Sequence, residues 1–287
     1  MRMGGTQPFR DQLMNQPFTN HDRLSLNQIT LNRLTLKECA EACVRHGFKW
    51  TAPWRNRVHE IGVKESARIL RDSGLRLSSL CRGGFFPGAT PAERQEHIDD
   101  NKRAIDEAAE LGTDCLVLVC GPAPDRDIDA GRKMVEDGIA AVLAHARDRN
   151  IRLGIEPLHP MFAADRSVIV TLAEALDLAE KFPASNVGVV VDVFHIWWDP
   201  KLYLELHRAS GRILGFHISD WAVPLPGIVT GRSMMGDGVI ELRRIRTAVE
   251  DAGYHGPIEV EIMNESIWSQ AADEVLGQTI ARYLSHV

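Results

Sequence analysis

The chain has 287 residues, 44% of them hydrophobic, with a formal net charge of −6 and a pI near 6.0. That length suits one α/β barrel, and the apolar content is enough for a large core. The acidic balance argues against a nucleic-acid or anionic-membrane partner, apolar runs of five to seven residues are too short to span a bilayer, and the N-terminus lacks the apolar stretch of a secretory signal, so a cytoplasmic protein is expected.

Residues 1–23, rich in Gln, Asn and Pro, read as a loosely ordered polar arm ahead of a domain over 24–287. From residue 24 onward, β-like and amphipathic helical runs alternate. LSLNQIT (24–30) precedes a helix ending at Gly47, and FKWTA (48–52) precedes one helix over 58–74. LRLSSLC (75–81) leads to a long helix over 91–111, with Thr90 as N-cap, Pro91 in the first position and Glu93 supporting the start. DCLVLVC (114–120) is followed by a helix over 134–150, IRLGIE (151–156) by one over 171–182, and VGVVVD (187–192) by a short one over 201–209. RILGFHIS (212–219) precedes a long loop and a helix over 239–253, and PIEVEI (257–262) a closing helix over 270–284. Eight β units and eight helices predict a single-domain (β/α)8 TIM barrel. A doubly wound open sheet would ordinarily carry a Gly-rich phosphate loop after its first strand, and NQITLNRLTL has none. The five cysteines (Cys39, Cys43, Cys81, Cys115, Cys120) are odd in number and form no CxxC pair, and they read as reduced thiols.

Four of the last apolar runs end in Glu156, Asp192, His217 and Glu261. Strands of a barrel gather such residues at one mouth. Singly, each is more often a cap or an ion-pair partner. Together they would bury three carboxylates at one point, which is costly without a cation. Three oxygen donors and one nitrogen suit Mn, Mg or Co better than a closed structural zinc site. His159, His195 and Asp220 each lie three residues beyond one of these groups, where they could orient ligands, contact substrate or be satisfied loop residues. Trp54, Phe85, Phe86, Trp197 and Trp198 fall just after strands and could wall a sugar ring or pack the rim, and Arg82 and Arg232 are the candidate cations over the mouth.

Through GIEPLHP, VVVDVFHIWW, GFHISDW, MMGDGVIEL and GYHGPIEVEI the chain resembles the sugar phosphate isomerase/epimerase superfamily. These are xylose-isomerase-like barrels that include ketose 3-epimerases, inosose dehydratases and endonuclease IV. The resemblance implies a metal site of Glu156, Asp192, His217 and Glu261. Glu261 is preferred to Glu259, two residues back on the same strand, because it lies seven residues after the Tyr of GYHGP. It implies a divalent ion, with Mn2+ ahead of Mg2+, Co2+ or Zn2+. It also implies proton abstraction alpha to the carbonyl of a keto sugar through an enediolate, with Glu156 and Glu261 as the acid/base pair. His195 would hold a substrate oxygen, and His159 would orient Glu156 or bind a hydroxyl. The alternative on the same site is a lyase or dehydratase that eliminates from a 3-keto sugar or 3-keto glycoside; members that cleave such glycosides work with a small partner subunit. Barrels of this type often form homo-oligomers.

Two features depart from the ketose 3-epimerases: no cation follows the seventh-strand His before Arg232, and EPLHP places His159 beside the fifth strand. No phosphate-cradling loop is readable, so the substrate is expected to be an unphosphorylated sugar or sugar derivative. A DNA-repair nuclease would need more histidines and a less acidic surface, and a non-catalytic sugar-binding barrel would not need the full ligand set.

Overall fold

A computed structural model describes residues 17–287; most of the expected N-terminal arm, residues 1–16, lies outside the described residues. The strands in chain order are β1 Leu24–Asn27, β2 Trp50–Ala52, β3 Arg76–Leu77, β4 Leu80–Gly84, β5 Cys115–Val119, β6 Arg152–Ile155, β7 Val187–Asp192, β8 Ile213–Ile218, β9 Asp220–Trp221, β10 Arg232–Ser233 and β11 Ile258–Val260. All but β9 and β10 form one parallel sheet in the order β3-β2-β1-β11-β8-β7-β6-β5-β4. The first and last strands are therefore neighbours. The two ends of the order, β3 and β4, are one sequence run interrupted at Ser78–Ser79. This is the expected TIM barrel, nearly closed. The seam is drawn together by Ser78 N–H to Thr51 O at 3.1 Å, by Cys81 N–H to Pro53 O at 3.2 Å, and by a bridge between Trp54 and Cys81.

Local chemistry explains where the elements begin and end. Three helices, Leu36–Arg45, Pro91–Leu111 and Leu172–Ala179, open with reciprocal caps made by Thr35 with Glu38, Thr90 with Glu93 and Thr171 with Glu174. The helix expected over 58–74 is two helices, Arg55–Ile61 and Val63–Ser73. Gly62, at φ +86°, closes the first by donating to Val58 O and opens the second by accepting from Ser66 N–H. The helix expected from 134 begins a turn and a half earlier, Ile128–Asp148, because Asp127 caps Ala130 N–H. Strands such as Val187–Asp192 are buried along their whole length, as parallel strands covered by helices must be. At Gly84, φ +100°, an added Cβ would sit 1.9 Å from Val119 O, so only glycine lets β4 lie against β5 there. No helix of the described residues is long and apolar enough to cross a membrane.

Candidate metal centre

The C-terminal strand ends bring the four expected residues together. Asp192 ends β7 in register with His217 of β8, and Glu156 and Glu261 follow directly on β6 and β11. One donor atom from each of Glu156, Asp192, His217 and Glu261 lies within 4.8 Å of all the others, and all four residues are at most 5% exposed. His217 Nδ1 is 3.1 Å from Glu156 Oε1 and 3.5 Å from Glu261 Oε2. Yet Glu156 Oε1 and both ring nitrogens of His217 are buried without a hydrogen-bond partner. Buried polar atoms are rarely left so. Hard oxygen donors and an imidazole converging with unsatisfied lone pairs fit a divalent cation.

The electrostatics are those of crowded acids. Burial pushes Glu156 up to about 7, with the negative charges of Glu261 and Asp192 adding to it against the opposing pull of His217. For Asp192 burial works the same way, but the Arg232 guanidinium outweighs it and holds the carboxyl at about 2. Burial alone would lower His217, but the surrounding charges of Glu259, Glu156 and Glu261 raise it well above the usual imidazole range. His195 is pushed down to about 3, chiefly by burial, and is therefore a neutral ring at physiological pH.

Arg232 is the member of this group that the sequence placed only loosely. It arrives on the β9–β10 hairpin and is 2% exposed. One nitrogen donates to Asp192 Oδ2 at 2.7 Å and lies 3.5 Å from Glu261 Oε2 and 3.2 Å from His195 Nε2; the other reaches Ser219 Oγ at 3.3 Å and Glu261 O at 3.4 Å. Its plane stacks on Phe194, 4.6 Å from the ring centroid. Asp220, read from sequence as a ligand-orienting or substrate group, instead grips the hairpin. Its oxygens accept the N–H groups of Trp221, Gly236 and Ile240, each at 2.9 Å. Glu259, the rival to Glu261, lies one layer deeper. It accepts from Asn27 Nδ2 at 2.7 Å, Ser78 Oγ at 2.7 Å and Ser79 Oγ at 3.0 Å, and faces His217 Nε2 at 3.5 Å.

The short helix Val193–Ile196 is capped by Asp192 Oδ1, and its turn carries His195 back to 3.8 Å from Asp192 Oδ2. His159 stands apart from the cluster. Its Nδ1 accepts Met161 N–H at 3.2 Å and its ring lies between Trp198 and Trp221, with centroids 5.5 and 5.1 Å away. The cavity above the carboxylates is walled by Trp54, Phe162 and Phe194, with Arg82 and Arg166 beside them. Of the rim aromatics expected from sequence, Phe86 turns into the core against the helix at Gly138, Phe85 lies beneath the Arg82 guanidinium, and Trp197 packs on Trp221. Phe162 and Phe194 were not foreseen. Each lies a few residues beyond a ligand, in a helical segment of three or four residues too short to show a period.

A family model described as xylose isomerase-like TIM barrel matches residues 40–283. Among curated proteins, the chain is 26% identical over 244 residues to a 3-dehydroshikimate dehydratase of Pseudomonas aeruginosa, covering 80% of this chain but only 36% of that protein. It is 23% identical over 270 residues to an inosose isomerase of Bacillus velezensis, covering 88% of this chain and 93% of the relative. Among solved structures, protein SMc04130 of Sinorhizobium meliloti 1021 superposes with a TM-score of 0.91 at 49% identity, over 93% of this chain and 99% of that one.

Proposed function

The chain belongs to the xylose isomerase-like TIM barrel family, and on that premise we propose that it is a divalent-metal-dependent isomerase or epimerase. It would act on a keto sugar or sugar derivative by removing a proton alpha to the carbonyl. The observation that carries this reading is the convergence of Glu156, Asp192, His217 and Glu261, all buried, within 4.8 Å. These four would hold the ion, Mn2+ by preference. When bound, the ion supplies a Lewis-acid charge beside a substrate oxygen.

The chain's own residues do the rest. Glu156 Oε1 and Glu261, on strands separated by β7 and β8, approach the bound carbon from different directions. One takes its proton and the other returns one. Glu156, held at about 7, is poised to exchange a proton near neutrality. His195, neutral, presents a ring nitrogen toward a substrate hydroxyl, and His159, packed against Trp198 and Trp221, would meet only a substituent that extends past the cavity. The free, buried state of all five cysteines supports a reducing, cytoplasmic setting, and a homo-oligomer belongs to the same reading.

A second reading, β-elimination by a dehydratase or lyase, with a small partner subunit if the substrate is a glycoside, is favoured by the likeness to the dehydratase. One experiment addresses both. Manganese-loaded protein is incubated in D2O with ketohexoses, ketose phosphates, inososes, cyclic keto acids and 3-keto glycosides and followed by NMR. Deuterium beside the carbonyl in an epimer supports the first reading, and an unsaturated product the second. Metal-loaded protein that exchanges no proton in any panel member would refute both.

A further inference from the structure

We propose that Arg82 and Arg166 form an oxyanion-recognition site on the wall of the same cavity, so that the substrate carries a carboxylate or phosphate group. The inference deepens the functional reading above and rests on it. Both arginines line the cavity that holds Glu156 and Glu261. The third guanidinium there, Arg232, is already committed to Asp192. Arg82 has no ion pair among the described residues, and its guanidinium lies 4.0 Å from the centroid of the Phe85 ring, which fixes the plane of the fork without neutralising it. Arg166 has only the largely exposed Asp165 at 3.8 Å; its Nε is buried with no hydrogen-bond partner, and its guanidinium lies 5.6 Å from the centroid of Phe162.

Two cations on one cavity wall, one with no ion pair among the described residues and the other with only a loose exposed one, are an unfinished interaction. Burial pushes Arg82 below the usual guanidinium range, and the charge of Arg166 adds to it. An oxyanion between them would satisfy both, because a planar fork on a rigid aromatic platform matches a carboxylate or phosphate in a bidentate way. The placement also divides the cavity. The acidic floor receives the keto and hydroxyl oxygens, and the cationic wall receives the charged end. A substrate would then be oriented end for end before any proton moves. No backbone loop cradling a phosphate is readable in the sequence, and a side chain from strand β4 with another from the segment after β6 does not register as a loop motif.

The test uses the full chain loaded with manganese, after metal content has been measured. Quinate (a cyclic polyol carboxylate), inositol 1-phosphate and neutral myo-inositol are titrated by calorimetry. At least one anion is expected to bind about tenfold or more tightly than myo-inositol, since charge-assisted hydrogen bonds carry that much. The preference should fall to near unity in Arg82→Gln and in Arg166→Gln with metal content unchanged. Whichever anion binds tighter identifies the group. Inorganic phosphate should compete with it in the unaltered protein, a check that holds even if a variant fails to fold. Equal binding of myo-inositol overturns the proposal. So does an anion preference that survives in both variants, which would mean chelation of the metal by the ligand. Manganese uptake without anion preference removes this proposal alone; no manganese uptake removes the functional reading with it.

Discussion

Glu259 stands directly beneath His217: the two are register partners on β11 and β8, with Glu259 Oε1 3.5 Å from His217 Nε2. The carboxylate thus faces the ring nitrogen turned away from Glu156 and Glu261, and it fixes which nitrogen is offered to the cluster. Glu259→Ala should weaken manganese affinity by about 10- to 100-fold without abolishing it, as loss of a supporting partner does. Calorimetric titration decides the matter. If binding vanished altogether, Glu259 would itself be a ligand.

Metal binding should be visible as stability. At about 100-fold excess over its dissociation constant, a bound ion adds about 2.7 kcal/mol. For a chain of this size that corresponds to a rise in Tm of about 4–5 °C. EDTA should reverse the shift, and His217→Ala should remove it along with bound metal after dialysis. An unchanged metal content in His217→Ala would exclude His217 from the ligand set.

Uptake should also release protons. Glu156, held at about 7, is partly protonated at neutral pH in the metal-free chain, and the charges around His217 favour its protonated form; both must lose the proton to donate a lone pair. Affinity should therefore rise as pH increases through about 7. A calorimetric binding enthalpy that does not change with buffer ionisation heat would contradict this.

Glu261→Gln and Glu156→Gln each keep the shape of the side chain and remove its basicity. Either should lower kcat by about 100-fold or more while circular dichroism stays unchanged. Full turnover in one of them would show that its carboxylate moves no proton.

Arg232→Met would leave Asp192, Glu261 and Glu156 without their fixed countercharge. Breaking a buried pair of this kind costs about 3–5 kcal/mol. Because a divalent cation supplies charge at the same place, the loss should be clearly smaller with saturating manganese than with EDTA. Urea melts under both conditions measure the difference, and an equal loss would mean that Arg232 and the metal do not share those carboxylates.

The barrel and its candidate ligands were legible because each depends on local order. Alternating β and helical runs set the strand count, and a ligand-type residue at the end of a buried run is placed at the mouth by the fold itself. What stayed hidden depends on distance along the chain. Arg232 was legible as a cation over the mouth, but its pairing with Asp192 was not, because the two lie 40 residues apart and Arg232 rides on a hairpin of two-residue strands too short to show a period. Asp220 looks like a rim group in sequence, but its partners, Gly236 and Ile240, are turn N–H groups that no side-chain pattern announces. The break at Gly62 was missed because one glycine in an amphipathic run is compatible with a continuous helix.

The interruption at Ser78–Ser79 ties two properties of the molecule into one. Both serine hydroxyls close onto Glu259, and Ser78 Oγ also meets Ser25 Oγ at 2.7 Å. The join between the two ends of the sheet is thus fastened by the carboxylate that steadies His217. Occupancy at the mouth is then expected to tighten closure of the wall. Loading the site should slow amide hydrogen exchange along β2, β3 and β4, which contribute none of the four candidate ligands. Conversely, a substitution chosen to retune the metal at the Glu259 layer would loosen the barrel where it has least sheet to spare.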